Sequence, residues 1–450
     1  MNILILNGSP AGDESITLQS VRYLQKLFPG HAWAQLNIAP KLKALERDFS
    51  EAREALEKAE LLLFAYPVYT FLAPAQLHRF ISLLKDSGIG RRGKYATQLS
   101  TSKHFYDVTA HEYIRLNCAD LGLRYLRGLS ADMEDLLTEK GREEARAFFA
   151  RILWAVEAGI DETLLPPAPS FAPAPATLPP SRAAGTNPRE VVIVADMGPE
   201  DAALQAMVAR FRRVFPGPSR VVNIRDFAFA GGCLGCFRCA GTGQCFYKDG
   251  FDKLLREDIQ GADATVYAFA VRDHSMGFRF KFYDDRQFCN GHRTVTMGKP
   301  VGYLVDGPLS AEPNVRMLLE ARAQVGGNHL SWIAGNEGDA DGEIDRLAAE
   351  LDYDLRTGYR ESANFYGVGG MKIFRDLIYT MRGLMREDHR FYKKHGFYRD
   401  FPQRHRGKIA AMYLVGAMMN KPALRKKLSG NITKGMLMPY ENALKKVKPE

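Results

Sequence analysis

The segment KAELLLFAYPVY, residues 58–69, indicates how this chain folds. Its apolar run has the length and composition of a strand buried on both faces of a sheet. A similar segment, GADATVYAFAVR, occupies residues 261–272, and a second similar pair follows, GKYATQLST at 93–101 and GKPVGYLVD at 298–306. The repetition, offset by about two hundred residues, indicates an internal duplication.

Around these segments, each half of the chain alternates short apolar runs with helical periodicity. Five strands with helices between them predict a parallel sheet that is covered on both faces. We therefore expect an α/β chain with two tandem flavodoxin-like, doubly wound, five-stranded sheets, whose ligands lie at the carboxyl ends of the strands. The predicted strands are residues 3–6, 34–36, 61–65, 96–100 and 123–126 in the first half, and 191–195, 220–224, 265–269, 301–305 and 329–333 in the second.

A proline-rich segment separates the two halves. Eight of the 23 prolines lie between Pro166 and Pro188. Such a segment favours polyproline II and serves as a semi-rigid spacer. We place a linker at residues 161–188, between a first, flavin-binding domain at 1–160 and a second, cysteine-bearing domain at 189–358.

Residues 359–450 are predicted to form a basic helical tail. From residue 371 onward the chain has 19 Lys and Arg against 6 Asp and Glu, whereas the whole chain has a formal net charge of +9. Apolar residues recur there at helical spacing and predict a helix whose apolar face packs against the domains. These residues are Ile373, Phe374, Leu377, Ile378, Met381, Leu384 and Met385.

The composition is that of a globular protein, with 46% hydrophobic and 25% charged residues. No apolar run reaches the roughly eighteen residues of a membrane span, and the opening MNILILNGSP lacks the features of a signal peptide. We expect a cytoplasmic protein without a membrane span and without a nucleic-acid partner. Because thiols are kept reduced in the cytoplasm, clustered cysteines indicate metal or redox chemistry in place of disulfides.

Three loops of the first half fall at the carboxyl edge of the predicted sheet. The first strand ends in NGSP at residues 7–10, and a helix is expected to begin near Ser15 or Thr17. A glycine-containing turn before a helix N-terminus offers N–H groups and hydroxyls to a phosphate. The third strand runs into YPVYTF at 66–71, which offers aromatic and apolar surface for a flat ring, and the fourth into STSKHFY at 100–106, which offers donors.

The motifs NGSP, PVY and TSKHFYD resemble those of the NAD(P)H-dependent FMN reductase family of flavodoxin-like proteins. The resemblance implies non-covalent FMN, with its phosphate in the first loop and its isoalloxazine ring between the next two. The chain departs from the family after GSP, where AGDESIT stands in place of a basic residue and an Asn-Thr pair. By this resemblance the phosphate is held by Ser9, Pro10, Ser15 and Thr17, the ring meets Pro67, Val68, Tyr69 and Phe71, and its polar edge bonds to Thr101 and Ser102.

The corresponding loops of the second half differ. The loop ADMGPED at 195–201 carries three acidic residues, which repel a phosphate, and we expect no phosphate group there. Where the first half has PVY, the second has VRDHSM at 271–276. Its His274 is either a proton donor or an ordinary surface histidine.

Four of the six cysteines form a run with the spacing C-x2-C-x2-C-x5-C. Two consecutive x2 spacings let a tight loop wrap three corners of a [4Fe–4S] cubane, whereas a structural zinc site more often pairs two C-x2-C motifs across a long gap. Glycines in the run permit the positive φ angles that such wrapping needs. The cysteines are Cys233, Cys236, Cys239 and Cys245, and the glycines are Gly231, Gly232, Gly235, Gly241 and Gly243.

The run also resembles the compact cysteine motif of iron–sulfur flavoproteins, in which a [4Fe–4S] cluster lies near FMN. That resemblance implies a cluster on the four cysteines, while zinc and metal-free thiols stay open as alternatives. Cys118 and Cys289 lie outside the run and are expected to be buried thiols. If the halves pack as a pseudo-dimer, the cysteines of the second half come near the flavin of the first.

We therefore expect a flavin-dependent NAD(P)H oxidoreductase or electron-transfer protein, with FMN in the first half and a [4Fe–4S] cluster in the second. No residue need act as a covalent catalyst. The sequence leaves open the choice between NADH and NADPH. It also leaves open the acceptor, which is a quinone, ferredoxin or a small molecule, and the oligomeric state, with a homodimer as one possibility. The alternative functions are a non-catalytic electron carrier or redox sensor, a plain FMN reductase, and a zinc-stabilised binding module.

Overall fold

A computed structural model describes residues 1–89, 93–162, 171–180, 187–399 and 406–419. Its strands form two parallel sheets. The first sheet contains β1 (Asn2–Asn7), β2 (Ala32–Asn37), β3 (Leu61–Pro67), β4 (Tyr95–Ser102), β5 (Arg124–Tyr125) and β6 (Leu129–Asp132). The second contains β7 (Val191–Ala195), β8 (Ser219–Asn223), β9 (Ala264–Ala270), β10 (Pro300–Asp306) and β11 (His329–Gly335).

Helices connect the strands and follow the second sheet. In the first half they are α1 (Ile16–Leu27), α2 (Ile38–Arg47), α3 (Ser50–Lys58), α4 (Ala75–Asp86), α5 (Asp107–Asp120) and α6 (Glu139–Glu157). In the second half they are α7 (Ala202–Val214), α8 (Arg238–Thr242), α9 (Phe251–Lys253), α10 (Gly277–Arg286), α11 (Pro313–Gly326) and α12 (Ala340–Thr357). Beyond them lie α13 (Phe365–Thr380), α14 (Arg386–Lys394) and α15 (Arg406–Met419).

The strand order is β2-β1-β3-β4-β5 in the first sheet and β11-β10-β9-β7-β8 in the second. Numbered within each half, both follow the order 2-1-3-4-5 of flavodoxin-like folds, which confirms the predicted fold class. The first sheet has six strands instead of the predicted five, because β6 also pairs with β4. The edge strand is interrupted at Gly128, where a Cβ atom would lie 2.2 Å from the Gln98 side chain.

The two halves share their strand order and the turn that follows the third strand, in agreement with the predicted duplication. β3 leads through a tight turn at residues 69–72 into α4, and β9 leads through an equivalent turn at residues 272–275 into α10. The two central residues of each turn have positive φ angles. Since α4 and α10 pack against each other, the halves form a pseudo-dimer within one chain.

Alternate residues of each buried strand face opposite sides of the sheet. Ile3 and Ile5 belong to a core with α1 and α6, whereas Leu4 and Leu6 belong to a core that continues into the second half. All four side chains are at most 1% exposed. Burial of one such side chain is worth about 2 kcal/mol, so the core that both halves share contributes strongly to their association.

Residues Met1–His389 form one compact unit and Arg390–Glu450 a second. Within the first unit, α13 packs against α11, and the Phe374 ring stacks on Phe105 with centroids 4.3 Å apart. α13 thus packs part of its apolar face as predicted, but it ends at Thr380. The prediction was wrong in extending the same helix to Met381, Leu384 and Met385, which lie beyond it, and Leu384 is 57% exposed. The described part of the linker, residues 171–180, is held to the second half where Arg210 donates to Thr177 O at 2.7 Å.

Other parts of the predicted linker and tail lie outside the described residues. They are residues 163–170 and 181–186 of the linker and residues 400–405 and 420–450 of the tail. The predicted domain boundaries therefore stay predictions. Among the helices that the structure describes, none is long and apolar enough to cross a membrane.

Candidate functional site

A cleft of about 490 Å³ lies at the carboxyl ends of β1, β3 and β4. Ligands of doubly wound sheets bind at this edge, and the volume is within the range of small-molecule and cofactor sites. Residues of both halves line the cleft. Nine of the ten residues predicted to bind FMN are among them, namely Ser9, Ser15, Thr17, Pro67, Val68, Tyr69, Phe71, Thr101 and Ser102. The tenth, Pro10, does not line it.

Hydroxyls and helix N–H groups gather at one end of the cleft. α1 begins after Ser15, as predicted, and the Ser15 Oγ accepts a hydrogen bond from the Leu18 N–H at 3.4 Å. The first two N–H groups of α1 have no partner within the helix and face the loop that precedes it. Thr17 Oγ1 lies 2.6 Å from Thr101 Oγ1 of β4, and Ser9 is buried beside them. This end therefore offers a cluster of neutral donors.

Two acidic residues distinguish this loop from an ordinary phosphate site. Asp13 accepts hydrogen bonds from Gln35 at 2.8 Å and from Asn37 at 3.1 Å, and these bonds lower the pKa of its carboxyl. Glu14 is exposed and lines the cleft itself. A carboxylate here opposes a phosphate, so binding must rely on hydroxyls, N–H groups and the dipole of α1.

The loop after β3 forms the middle of the cleft wall. The Val68 N–H donates to Thr101 O at 3.0 Å, which ties the loop to the end of β4. Tyr69 N–H donates to Leu72 O at 2.7 Å, and Leu72 N–H donates to Tyr69 O at 3.0 Å. These paired bonds close the tight turn at residues 69–72.

The centre of that turn is strained. Thr70 and Phe71 have φ angles of 41° and 71°, a left-handed conformation that costs a residue with a side chain on the order of 1 kcal/mol or more. The Phe71 ring is 5% exposed and packs against Phe105 and Tyr106, with centroids 4.9 and 4.5 Å away. Phe71 thus anchors the turn in an aromatic cluster, while Tyr69 keeps a more exposed position on the wall.

The second half closes the cleft opposite these loops. Phe288, His292 and Arg322 line it, together with Phe374 of α13. Arg322 Nη1 donates to Asp284 Oδ2 at 2.9 Å, which holds the guanidinium in place. The sequence did not identify Phe288, His292 and Arg322, because they belong to the half without flavin motifs, and it predicted only a packing role for Phe374. The duplication was the one signal that pointed to a site shared by the halves.

All four cysteines of the run line the same cleft. Their loop touches the turn at residues 69–72, since a Cβ atom on Gly235 would lie 1.8 Å from the Tyr69 hydroxyl. Gly235 and Gly243 have the predicted positive φ angles, of 64° and 74°. The φ angles of Gly231, Gly232 and Gly241 lie outside that region. Gly232 is instead needed for close approach, since a Cβ atom there would lie 2.6 Å from Gln76 Nε2.

A buried arginine clamps the base of the cysteine loop. The side chain of Arg286 is 1% exposed and donates to both carboxylate oxygens of Asp249 at 2.8 Å and to Gly231 O at 2.9 Å. The Asp249 carboxylate also accepts from the Ala230 N–H at 3.1 Å. These bonds join the two ends of the loop and hold the cysteines against the cleft.

Burial is the main cause of the raised pKa values of three cysteine thiols at the cleft. It raises the pKa of Cys233, and it raises the pKa of Cys239 to about 11 and that of Cys289 to about 12, with neighbouring thiols adding to each shift. Cys118 and Cys289 are both buried, as predicted, but Cys289 also lines the cleft. The cleft therefore has five cysteines on its wall, one more than the run suggested.

The donor atoms suit a metal, but their arrangement does not form a complete site. The four thiols of the run, which all line the cleft, are the ligand type that iron–sulfur clusters and zinc take. Over the described parts of the chain, however, no three or more His, Cys, Asp or Glu side chains are arranged to hold a metal ion. The cluster thus remains a hypothesis that rests on the cysteine spacing and the shared cleft.

In the second half, side chains fill the loop that corresponds to the phosphate loop. Arg225 Nε lies 2.7 Å from Asp196 Oδ1, and Nη2 lies 2.9 Å from Asp201 Oδ2. The same guanidinium pairs with Glu200. Arg272 also pairs with Asp201, so two cations face the three acidic residues of the loop.

His274 lies between the halves and does not line the cleft. Its Nε2 is 3.0 Å from Asp120 Oδ2, and its Nδ1 is 2.8 Å from Glu312 Oε1. Burial lowers the pKa of His274, but the two carboxylates outweigh this effect and raise it to about 9. His274 thus connects the two halves through Asp120 and Glu312, with its side chain 22% exposed.

Comparison with known proteins agrees with the first-half motifs. Residues 1–129, which contain all three predicted flavin loops, match the family model of NADPH-dependent FMN reductase. This match confirms the resemblance for the first half. No curated protein shows significant similarity to the chain.

Several solved structures align with about a third of the chain. An FMN-dependent NADH-azoreductase from Bacillus anthracis, in complex with FMN, is 14% identical and covers 35% of this chain and 99% of its own, with a TM-score of 0.28. An NADH:FMN oxidoreductase in its apo form is 18% identical over 34% of this chain and 89% of its own, with a TM-score of 0.30. General stress protein 14 from Treponema denticola, in complex with FMN, is 14% identical over 35% and 98%, with a TM-score of 0.27.

Proposed function

We propose that this chain is a flavin-dependent NAD(P)H oxidoreductase that binds FMN in the cleft at the carboxyl ends of β1, β3 and β4. The observation that carries the proposal is the convergence of the three predicted loops on one cleft, within the residues that match the FMN reductase family model. The cleft has hydroxyls at one end and aromatic surface along its wall, which are the surfaces that a phosphate and a flat ring require.

The proposed FMN contacts follow from this arrangement. Ser9, Ser15 and Thr17, with the first N–H groups of α1, hold the phosphate. The ring lies along Val68 and Tyr69. The hydroxyls of Thr101 and Ser102 bond its polar edge, because both residues lie at the end of β4 between the phosphate end and the turn at residues 69–72.

The protein contributes binding and orientation. Bound FMN supplies the redox chemistry, since it accepts two electrons together from NAD(P)H and releases them singly or as a pair. The rings of Phe71, Phe105 and Phe374, which pack against one another, give one wall of the cleft an apolar surface. Arg322, paired with Asp284, places a fixed positive charge beside that wall. The acceptor is a quinone, ferredoxin or a small molecule.

For the cysteine run we propose a second redox centre, a [4Fe–4S] cluster. The spacing of the cysteines and their position on the wall of the FMN cleft support this assignment. Among the described residues, however, the side chains of the cysteines are not arranged to hold a metal ion. Zinc and metal-free thiols are the competing assignments, and iron, sulfide and zinc analyses separate the three.

The activity is tested by anaerobic oxidation of NADH and of NADPH by the FMN-loaded full chain, with ferricyanide or a quinone as acceptor. Sustained turnover that requires added FMN is the expected result. A protein that binds FMN but oxidises neither nicotinamide would instead be an electron carrier or redox sensor. A protein that binds no FMN would contradict the proposal altogether.

A further inference from the structure

A helix of the second half fixes the proposed flavin-ring turn of the first half. Lys281 and Asp285 lie one turn apart on α10, and both side chains are fully buried. Lys281 Nζ donates to Tyr69 O at 2.8 Å and to Thr70 Oγ1 at 3.1 Å. A cation of one half therefore bonds directly to the backbone and side chain of the turn in the other half.

Asp285 holds the exit of the same turn. Its Oδ2 accepts a hydrogen bond from the N–H of Ala75, the first residue of α4, at 2.8 Å. Its Oδ1 accepts from the Thr70 hydroxyl and from the Lys281 ammonium. The buried pair thus joins the entry of the turn to the helix that follows it.

The turn needs such support. Thr70 and Phe71 have left-handed φ angles, and residues with side chains keep this conformation where the surrounding structure enforces it. The first half holds the Phe71 carbonyl through the hydroxyl of Thr109 at 2.5 Å. α10 holds the residues before it, Tyr69 and Thr70, which line the cleft.

We propose that Lys281 and Asp285 are positioning residues of the flavin site: by bonding to Tyr69, Thr70 and Ala75 they hold the turn in the conformation that contacts the flavin ring. The proposal rests on the proposed FMN site and extends it, because the second half becomes part of that site independently of its cysteines. A buried pair of opposite charges contributes little net stability compared with apolar residues, which makes a specific positioning role its main consequence here.

The duplication supplies a matched control. The equivalent turn of the second half, at residues 272–275, is held from the first half by Lys85, whose Nζ lies 3.0 Å from Asp273 Oδ1. The Asn117 amide also donates to Asp273 O at 3.0 Å. None of these three residues lines the cleft. Lys85→Met therefore disturbs the same kind of contact between the halves away from the proposed ring position.

The test compares FMN and riboflavin binding by full-chain variants, followed by quenching of flavin fluorescence. Lys281→Met/Asp285→Leu removes one buried cation and one buried carboxylate together, while Asp284, which lies 3.7 Å from the Lys281 ammonium, keeps its pairing with Arg322. We expect it to bind FMN and riboflavin about tenfold more weakly than the wild type, since the ring is common to both ligands. We also expect a changed visible circular dichroism spectrum of the bound flavin and unchanged competition by inorganic phosphate. Lys85→Met should retain wild-type affinity and spectrum.

Thr70 provides a second, milder test that does not depend on folding of the double variant. Thr70→Ser keeps the hydroxyl and should bind FMN as the wild type does, whereas Thr70→Val should lose affinity and change the flavin spectrum. The inference would be overturned, and the proposed function left intact, if the double variant bound FMN with wild-type affinity and an unchanged spectrum. If the double variant fails to fold, the same result for Thr70→Val would overturn it. Absence of FMN binding by the wild type would instead overturn both.

Discussion

The hydroxyl oxygens of Thr17 and Thr101 lie 2.6 Å apart, one in the first turn of α1 and the other near the end of β4. This contact joins two of the predicted flavin loops although the residues are 84 positions apart in the chain. It places the proposed phosphate end and the proposed polar edge of the ring in one rigid frame. The geometry of the site therefore depends on this pair.

Replacing Thr17 by valine should weaken FMN binding. The substitution keeps the shape of the side chain but removes a buried hydroxyl from the phosphate end, and loss of one such hydrogen bond is worth about 1 kcal/mol, or about fivefold in affinity. Fluorescence titration measures the effect. Thr97→Val is the matched control, because Thr97 is a fully buried threonine of β4 whose hydroxyl has no hydrogen-bond partner among the residues that the structure describes. Equal affinity of the two variants would remove Thr17 from the site.

Replacing Glu14 by glutamine should strengthen FMN binding. Glu14 lines the cleft near the proposed phosphate end, and its carboxylate repels the phosphate. We expect a gain of a few-fold at low salt that shrinks as salt screens the charge. Riboflavin, which lacks the phosphate, should bind both proteins equally. A gain that is the same for riboflavin would contradict the placement of the phosphate.

Replacing Cys236 and Cys239 by serine should remove iron and acid-labile sulfide from anaerobically purified protein and leave FMN binding in place. The cysteine loop belongs to the second half, whereas the proposed FMN contacts belong to the first. Substitutions in the loop should therefore affect one centre without the other. Elemental analysis and the flavin absorbance measure both on one sample. Loss of FMN together with iron, or retention of iron, would count against two independent centres.

Stability should fall as the pH rises from about 6.5 to about 9, because of His274. The pKa of this residue is raised from 6.5 to about 9 by Asp120 and Glu312, against the effect of burial. A raised pKa means that protonated His274 stabilises the folded state fully below the unfolded pKa, and that this contribution, up to about 3 kcal/mol, disappears as pH rises through the folded pKa.

Chemical denaturation at several pH values measures this slope. The groups that face the imidazole are Asp120, Glu312 and Lys85, which pairs with Asp120 at 2.6 Å. Subtracting the profile of a His274→Gln variant isolates the histidine from these and other titrating groups. Parallel profiles for wild type and variant would show that His274 does not stabilise the contact between the halves.

The fold and the flavin loops were predictable because their signals are local. Apolar runs such as residues 61–65 indicate burial on both faces of a sheet, and Ser15 marks the start of α1 because its hydroxyl caps the helix. The duplication further predicted that the halves face each other. These signals are confined to short windows of sequence, which is why ten strands could be placed.

Contacts between the halves were not predictable in the same way. Lys281 bonds to Tyr69 across 212 positions, and nothing in the sequence around α10 marks it as a partner of the first half. Within the second half, Arg225, which lies just after β8, fills the acidic loop, again without a local motif. Long-range pairs of this kind depend on topology, and they decide how the cleft is completed.

The central claim is that the full chain binds one FMN in the first-half cleft. An FMN titration of the wild type and of Thr17→Val, which determines the stoichiometry and the affinity, tests this claim most directly. The account predicts one FMN per chain, with flavin absorbance bands that persist after removal of free FMN, and weaker binding by the variant. Absence of binding would contradict the claim. Two FMN per chain would do so as well, because the loop closed by Arg225 would then hold a phosphate.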